Sequence, residues 1–391
     1  MKNKIFILLL LCLFLCGCGN YRELNQIAII TGVGIDKKDD EYEVSLLIAN
    51  AQKSETTSKE GESQPTVYSG KGKSLVEATK EVDRKTPKQL YFGHINVVLI
   101  SEKVAEEGFL NVADWLLRNP ESRKKFYLMM TKDSTAKEVL EIVSPLESFP
   151  SQNIATLMGS NEETQAITNS VTYSDFINNI LVEGIEPILP SITVIGDDKD
   201  GDDKANLDTT NPNSYLKLET IALFKNDKFK GFASENDSKA INILKNTVKQ
   251  SIFTINYDDS NVNLSTKNIS SKIKIKSAKE FDIKVTGDAT LSEINSDTNL
   301  NKEQTIKNIE KELNKTIKKQ INKAIKKMQT KYKSDIFGFG NLIYKNHPDA
   351  WKKIKDKWND VYFPKIKVNI QTDVELVSTG SLENTIRKED K

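Results

Sequence analysis

Apolar residues run without interruption from Ile5 to Leu15, behind Lys2 and Lys4, and no later stretch repeats such a run. Beyond it the pattern alternates between strand-like and helix-like periods. Gln26 to Asp36 is rich in Ile and Val around Gly32 and Gly34, which predicts a strand with a close-packed or bulged section. A turn over Lys37–Glu41 leads to a second strand over Tyr42–Ala51, and the polar residues 53–64 predict a loop. Ser74-Leu75-Val76-Glu77 has the spacing of a capping box, in which serine and glutamate side chains satisfy reciprocal free amides at a helix start. That helix should run to about Lys85. Strands follow over Ile95–Ser101 and Phe126–Thr131, separated by a helix over Phe109–Arg118 with Leu110, Ala113 and Leu117 on one face. Thr135 to Glu138 forms a second capping box. A helix over Tyr173–Glu183 should stop at Gly184, before a strand over Ile188–Ile195.

Gly196 to Asn213 breaks this alternation with six aspartates and almost no apolar residues, and reads as an acidic linker. A calcium loop is the functional rival. Setting Gly201 at the sixth position of an EF-hand puts Gly196 at the first, where an acid is required, so the pattern fails. The second half opens with a hairpin, Tyr215–Lys225 and Lys228–Ala233 around Asn226-Asp227, and a helix over Ser238–Lys249. Strands then fill Ser251–Glu293, alternation being plain in Lys272-Ile273-Lys274-Ile275-Lys276. Ile306, Ile309, Leu313, Ile317, Ile321, Ile325, Met328 and Tyr332 recur at spacings of three and four, the apolar stripe of one long helix. A last helix carries Trp351, Ile354 and Trp358 on one face behind Pro348, and a strand from Lys365 to about Thr379 ends the pattern. The expected fold class is α+β, or mixed α/β: a multi-domain body with antiparallel or mixed sheets and packed helices. Its divisions are 1–17 as a leader, 18–196, the linker 197–214, and 215–391 with room for two subdomains.

The leader changes how the rest is read. A charged start, a short apolar run and Gly17 before Cys18 form a secretory signal ending in a bacterial lipobox, whose cysteine would carry diacylglycerol and an N-acyl chain. The run is too short to span a bilayer, which takes about 20 apolar residues. All three cysteines lie within the first 18 positions, so the body has no disulfides and no thiolate metal site. One acyl chain holds marginally and two hold stably. Lys plus Arg number 56 and Asp plus Glu 55, and loss of Lys2 and Lys4 lowers the formal +1 by two. That balance excludes the basic footprint of a nucleic-acid binder. Mean hydropathy of −0.47 suits a water-exposed body.

Catalytic chemistry is sparse. His94 and His347 are the only histidines, far apart and without ligand or nucleophile patterns. P-loop, zinc-protease and nucleophile-elbow motifs are absent. Gly32-Val33-Gly34 lacks the third glycine of a dinucleotide fingerprint. From Lys302 to Lys333 there are eleven Lys and three Glu, a formal +8 that could face anionic lipid. An apolar stripe of this kind is what a domain helix needs, and a solvated lysine face is the preferred reading.

The sequence resembles the Ger(x)C spore germination lipoproteins, the C subunits of nutrient germinant receptors. The likeness is carried by residues 21–36, Phe92-Gly93-His94, 97–101, Leu116-Leu117-Arg118-Asn119-Pro120-Glu121-Ser122-Arg123, 335–340, His347-Pro348-Asp349-Ala350-Trp351, Trp358, Phe363-Pro364 and Thr379-Gly380. The resemblance implies a three-part mixed α/β body on the outer face of the spore inner membrane, beside two integral membrane subunits of the same receptor. It implies no known enzymatic activity and no cofactor besides the lipid on Cys18. Cys18 is then the attachment point, and Arg22 and Glu23 lie nearest the membrane. Arg118, Glu121 and Arg123 are candidates for a polar network or partner contact, and Trp351 and Trp358 for core anchors. The alternative is a tethered solute-binding lipoprotein that captures a small nutrient, with a cell-wall hydrolase as a distant third.

Overall fold

The computed structural model describes residues 23–49, 65–147, 149–164, 166–196, 201–202, 206–247, 249–294, 299–300 and 302–379. Cys18, Arg22, the predicted loop 53–64 and much of the acidic stretch lie outside the described residues. The body is built on three sheets, as a mixed α+β fold.

The first sheet begins with β1 (Ile27–Lys38) and β2 (Glu41–Ala49), an antiparallel pair turning at Asp39, which takes a left-handed φ of 55°. β3 (Thr66–Gly72), which the hydrophobic pattern did not single out, pairs with β2. Helix α1 (Leu75–Asp83) follows, and Ser74 Oγ accepts the Glu77 N–H at 3.2 Å. The reciprocal half of the predicted box is different: the Glu77 carboxylate accepts the N–H of Lys73 at 2.9 Å. β4 (Gln89–Tyr91) and β5 (Val97–Ile100) both run parallel to β1, at its beginning and middle. Helices α2 (Glu102–Glu107) and α3 (Leu110–Arg118) lead to β6 (Tyr127–Thr131), parallel to β5.

The periodicity of α3 misleads. Leu110 and Leu117 are 55% and 54% exposed, and the buried face is Val112, Ala113 and Leu116. Spacing alone assigns two overlapping apolar faces to this helix, and packing chose the other.

Helix α4 (Ala136–Glu141) carries both halves of its capping box, Thr135 and Glu138. Helices α5 (Pro150–Thr164) and α6 (Tyr173–Leu181) follow, α6 ending before Gly184, whose φ is +78°. The stretch predicted as one strand over Ile188–Ile195 is divided by Pro190, which cannot donate to a ladder. Its halves, β7 (Ile188–Leu189) and β8 (Ser191–Gly196), enter different sheets. β9 (Ser214–Leu218) returns antiparallel to β8, completing the order β3-β2-β1-β5-β6-β8-β9. The predicted strand Tyr215–Lys225 is thus two strands serving two sheets. Within the acidic stretch Asn206 is buried, its amide donating to the carbonyls of Val143 and Ser214, both at 2.9 Å.

The second sheet joins β7 to the hairpin β10 (Ala222–Lys225) and β11 (Lys228–Phe232). Helix α7 (Glu235–Lys245) leads to the third sheet: β12 (Gln250–Tyr257), β13 (Ser260–Ser277), β14 (Glu280–Ile294) and, parallel to β14, β15 (Lys367–Ser378). Helix α8 (Glu303–Lys327) crosses this sheet and passes into a π-helical turn over Met328–Tyr332. Its predicted stripe is buried from Ile309 to Tyr332, with Ile306 half-buried at the start. Each fully buried Ile or Leu contributes about 1.5–3 kcal/mol, whereas an exposed i,i+4 pair such as Glu303–Lys307 is screened by solvent, so burial decides where α8 sits. The same helix closes the sheet edge. Asn314 accepts the Val374 N–H and donates to the Val374 carbonyl, and Glu310 accepts the Leu376 N–H at 2.8 Å. An open strand edge is a template for aggregation, and here it is taken up internally.

The predicted last helix is broken. After α9 (Phe339–Asn346), α10 (Pro348–Ile354) gives way to a 3₁₀ turn and then a π turn over Trp358–Tyr362. Pro364 lies in a 3₁₀ turn over Phe363–Lys365 and not at the start of the strand.

Replacing Ile317 with Ala should cost about 2–5 kcal/mol in a urea titration, whereas Lys318→Ala, on the exposed side, should stay within about 0.5 kcal/mol. Equal effects would mean that the stripe does not dock α8 on the third sheet.

Candidate functional site

The most organised polar cluster of the molecule forms where the second sheet meets the turns that follow α8. Asp335 is its hub and is fully buried. An ionised carboxylate in such a place needs donors on both oxygens. Oδ1 accepts the N–H groups of Gly338 (3.0 Å) and Phe339 (3.2 Å), and Oδ2 those of Gly340 (2.7 Å) and the Trp358 indole (2.8 Å). Local sequence makes this wrap possible. Gly338 has φ +79°, and a Cβ on Gly340 would stand 2.7 Å from Trp358 Nε1 and 2.8 Å from the Trp351 ring. Burial still outweighs the four donors and pushes the Asp335 carboxyl up to about 6.

A ring of hydrogen bonds continues from the hub. The Asp335 N–H donates to Asn359 Oδ1 at 3.1 Å, Asn359 donates to Glu186 Oε1 at 2.5 Å, and the Glu186 N–H returns to the Asp335 carbonyl at 2.9 Å. The other Glu186 oxygen accepts the N–H of Asn226, in the β10–β11 turn. Burial raises the Glu186 pKa as well. Lys245, from α7, donates to the Ile336 carbonyl at 3.2 Å, and burial lowers its pKa. Further out, Trp351 Nε1 donates to Glu183, whose carboxyl is held low first by that bond and then by Lys355. Gly184 lies so close to Gly340 and Asn341 that a Cβ there would approach their backbone to 2.4 Å. Segment 183–188, the β10–β11 turn and residues 335–359 are therefore one interlocked joint. A cleft of about 330 Å³ opens beside it, lined by Leu110, Val182, Glu183, Asp227, Trp351 and Lys355 among others.

A second, larger cleft of about 620 Å³ lies at the carboxyl ends of β1, β5 and β6, where parallel strands often hold ligands. Its deepest acid, Asp36, is committed to the fold: its oxygens accept the N–H groups of Ala136 (2.8 Å) and Lys137 (3.0 Å), while burial pushes the group to about 6. Among the described residues no three His, Cys, Asp or Glu side chains stand together as a metal site. No helix of the described residues is long and apolar enough to cross a membrane.

The residues singled out from sequence separate into two places. Trp351 and Trp358 are buried in the joint, their rings 5.5 Å apart. Arg118 pairs with Asp114 at 2.7 Å, Glu121 accepts the Phe92 N–H at 3.5 Å and Arg123 is exposed, all at the other end of the first sheet. Glu23 is exposed and takes a 3.1 Å bond from Asn25. His94 is exposed and touches the Tyr91 ring, and His347 is exposed beside α10. Sequence reasoning missed the roles of Asp335, Glu186 and Asn359. Asp335 entered the sequence reading only as part of the family-like run 335–340; the available signal was an aspartate at the head of an apolar stretch with glycines at 338 and 340.

Comparison with known proteins adds a family. Residues 20–194 match the model of the spore germination protein N-terminal domain, and residues 219–380 that of the spore germination B3/GerAC-like C-terminal domain. The chain is similar to spore germination protein KC of Bacillus subtilis (strain 168), at 28% identity with 98% of this chain and 97% of the relative covered. Spore germination protein A3 of the same organism is 24% identical, with 96% and 97% covered. A crystal structure of the GerBC protein has a similar fold, with a TM-score of 0.54 at 17% identity, over 91% of this chain and 100% of that one.

The hub has a pH signature. An Asp335 carboxyl at about 6 in the folded chain, against an ordinary 3.8, keeps its proton where the unfolded chain has released it. Stability contributed here is therefore present below pH 3.8 and falls as pH rises to about 6. Denaturant titrations across that range should show a shallower fall in Asp335→Asn than in the native chain, with Glu186 supplying a residual slope of the same sign. Parallel curves would show that Asp335 does not titrate in this window.

Proposed function

We propose that this chain, which belongs to the GerAC-like family of spore germination proteins, works as the lipid-anchored subunit of a nutrient germinant receptor. One observation carries the reading: the two family segments match in order and fill both halves of the body, so the resemblance is architectural and not confined to one motif. The relatives that match from end to end are spore germination proteins.

The body acts by interaction and not by catalysis. Its buried acids spend their oxygens on protein N–H groups, as Asp335 and Asp36 do, leaving them no free role as acid or base. The same commitments weigh against capture of a solute in either cleft. Two acyl chains on Cys18 would hold the protein stably at the outer face of the spore inner membrane. Confinement to that surface raises its effective concentration near integral membrane subunits of the same receptor.

Replacing Cys18 with Ala in the native gene should shift the protein from the membrane to the soluble fraction of spores and slow the fall in optical density after nutrient addition. Membrane retention with normal germination would overturn the anchored-subunit reading.

A further inference from the structure

The fold has a definite polarity relative to Cys18. β1, β4, β5 and β6 run parallel, with Ile27 opposite Gln89, Gly32 opposite Val97 and Val97 opposite Tyr127. β1 and β4 begin level, while β5 and β6 begin level with Gly32, five residues along β1, so the loops that feed β5 and β6 open toward the pole where β1 begins. Five residue steps separate Cys18 from Glu23, a span of at most about 18 Å at about 3.6 Å per residue. The far end of β1, beside Asp36, lies about 30 Å further along the strand at about 3.3 Å per residue.

Basic groups gather at this same pole. Lys88 stands immediately before β4, and Arg123 and Lys125 are exposed on the loop that feeds β6. That loop is fixed to the pole: Glu121 accepts the Phe92 N–H, and Lys124 caps the end of α3 on the Leu116 and Asn119 carbonyls. Leu117, 54% exposed, lies in the last turn of α3. Of the neighbouring acids, Asp83 at the end of α1 is exposed, and the others are paired or hydrogen-bonded. Asp114 holds Arg118, Glu121 takes a backbone N–H, Asp175 caps α6 through Thr172, and Glu23 receives Asn25. Exposed cations near a single exposed leucine are the composition of a surface that rests on anionic headgroups. The lysine-rich face of α8 is the competing surface. That helix packs on β12, β15 and α7 in the third sheet, and nothing in its position ties it to the tether.

We infer that the pole where β1 begins is a lipid-facing surface, on which Lys88, Arg123 and Lys125 meet anionic phospholipid headgroups and fix how the anchored body stands on the bilayer. The inference rests on Cys18 being the anchor. A chain starting at Cys18 has that cysteine as its only thiol, so it can be coupled to a maleimide-bearing phospholipid whether or not cells lipidate it. Hydrogen exchange is then followed on vesicles of phosphatidylcholine alone and of phosphatidylcholine with phosphatidylglycerol. Amides over 88–95 and 117–125 should exchange several-fold more slowly on the anionic vesicles. Lys88→Glu/Arg123→Glu/Lys125→Glu should abolish that difference while leaving β5 and β6 exchange unchanged, and charge reversal at Lys318, Lys319, Lys323 and Lys326 should leave it intact. Equal protection on both lipids, protection centred on α8, or slowing that survives the triple reversal would overturn the inference. A native protein found unmodified at Cys18 would instead overturn the anchor, a result read separately by mass spectrometry.

Discussion

A carboxylate cannot stay inside a protein without donors, and Asp335 has no access to water. Its need for four N–H groups dictates the course of the chain after α8. Three come from the backbone of Gly338, Phe339 and Gly340, so the chain must curl around the side chain, and one comes from Trp358, so the turns after α10 must fold back over it. Once Trp358 is placed, Asn359 faces Glu186, and Glu186 grips the turn of the β10–β11 hairpin. The seating of the second sheet's hairpin against residues 335–359 thus follows from solvating one buried acid.

Around that hub the apolar packing is dense and aromatic. Phe339 stands between Phe281 of β14 and Phe363, while Trp358 contacts both Trp351 and Phe363. These contacts enclose Asp335, while Glu186 and Asn359 of the ring also line the neighbouring cleft. The joint therefore reads as a rigid coupling between the halves of the chain. Such a coupling holds the surfaces of the two halves in fixed relation.

The first sheet contributes polarity. Parallel strands open the loops that feed them toward one end, and the acidic and basic side chains in those loops are distributed differently from those at the opposite end. The carboxyl ends of the strands hold a cleft of mixed charge around a committed Asp36, while the loop that feeds β6 toward the other pole exposes Arg123 and Lys125. Direction along β1 is what separates the two ends.

Much of this was legible in residue order, because periodicity and capping are local. The stripe of α8, the box at Thr135, the β1–β2 hairpin and the alternation in β13 each need only a few neighbouring residues to be recognised, and so does the run that ends at Cys18. Tertiary structure decided what depends on partners distant in sequence. Pro190 interrupts a strand wherever it falls, yet only packing sends its two sides to different sheets. The faces of α3 were ambiguous by spacing, and packing into the core beneath the first sheet chose Val112 and Leu116 over Leu110 and Leu117. Glu186 and Asn359 lie 173 positions apart, a separation at which no local pattern can announce a hydrogen bond. The sequence by itself determined most of the elements and their caps. Which of those elements share a sheet, and which acid lies buried among them, is set by long-range burial and by the solvation that a buried charge must find within the fold.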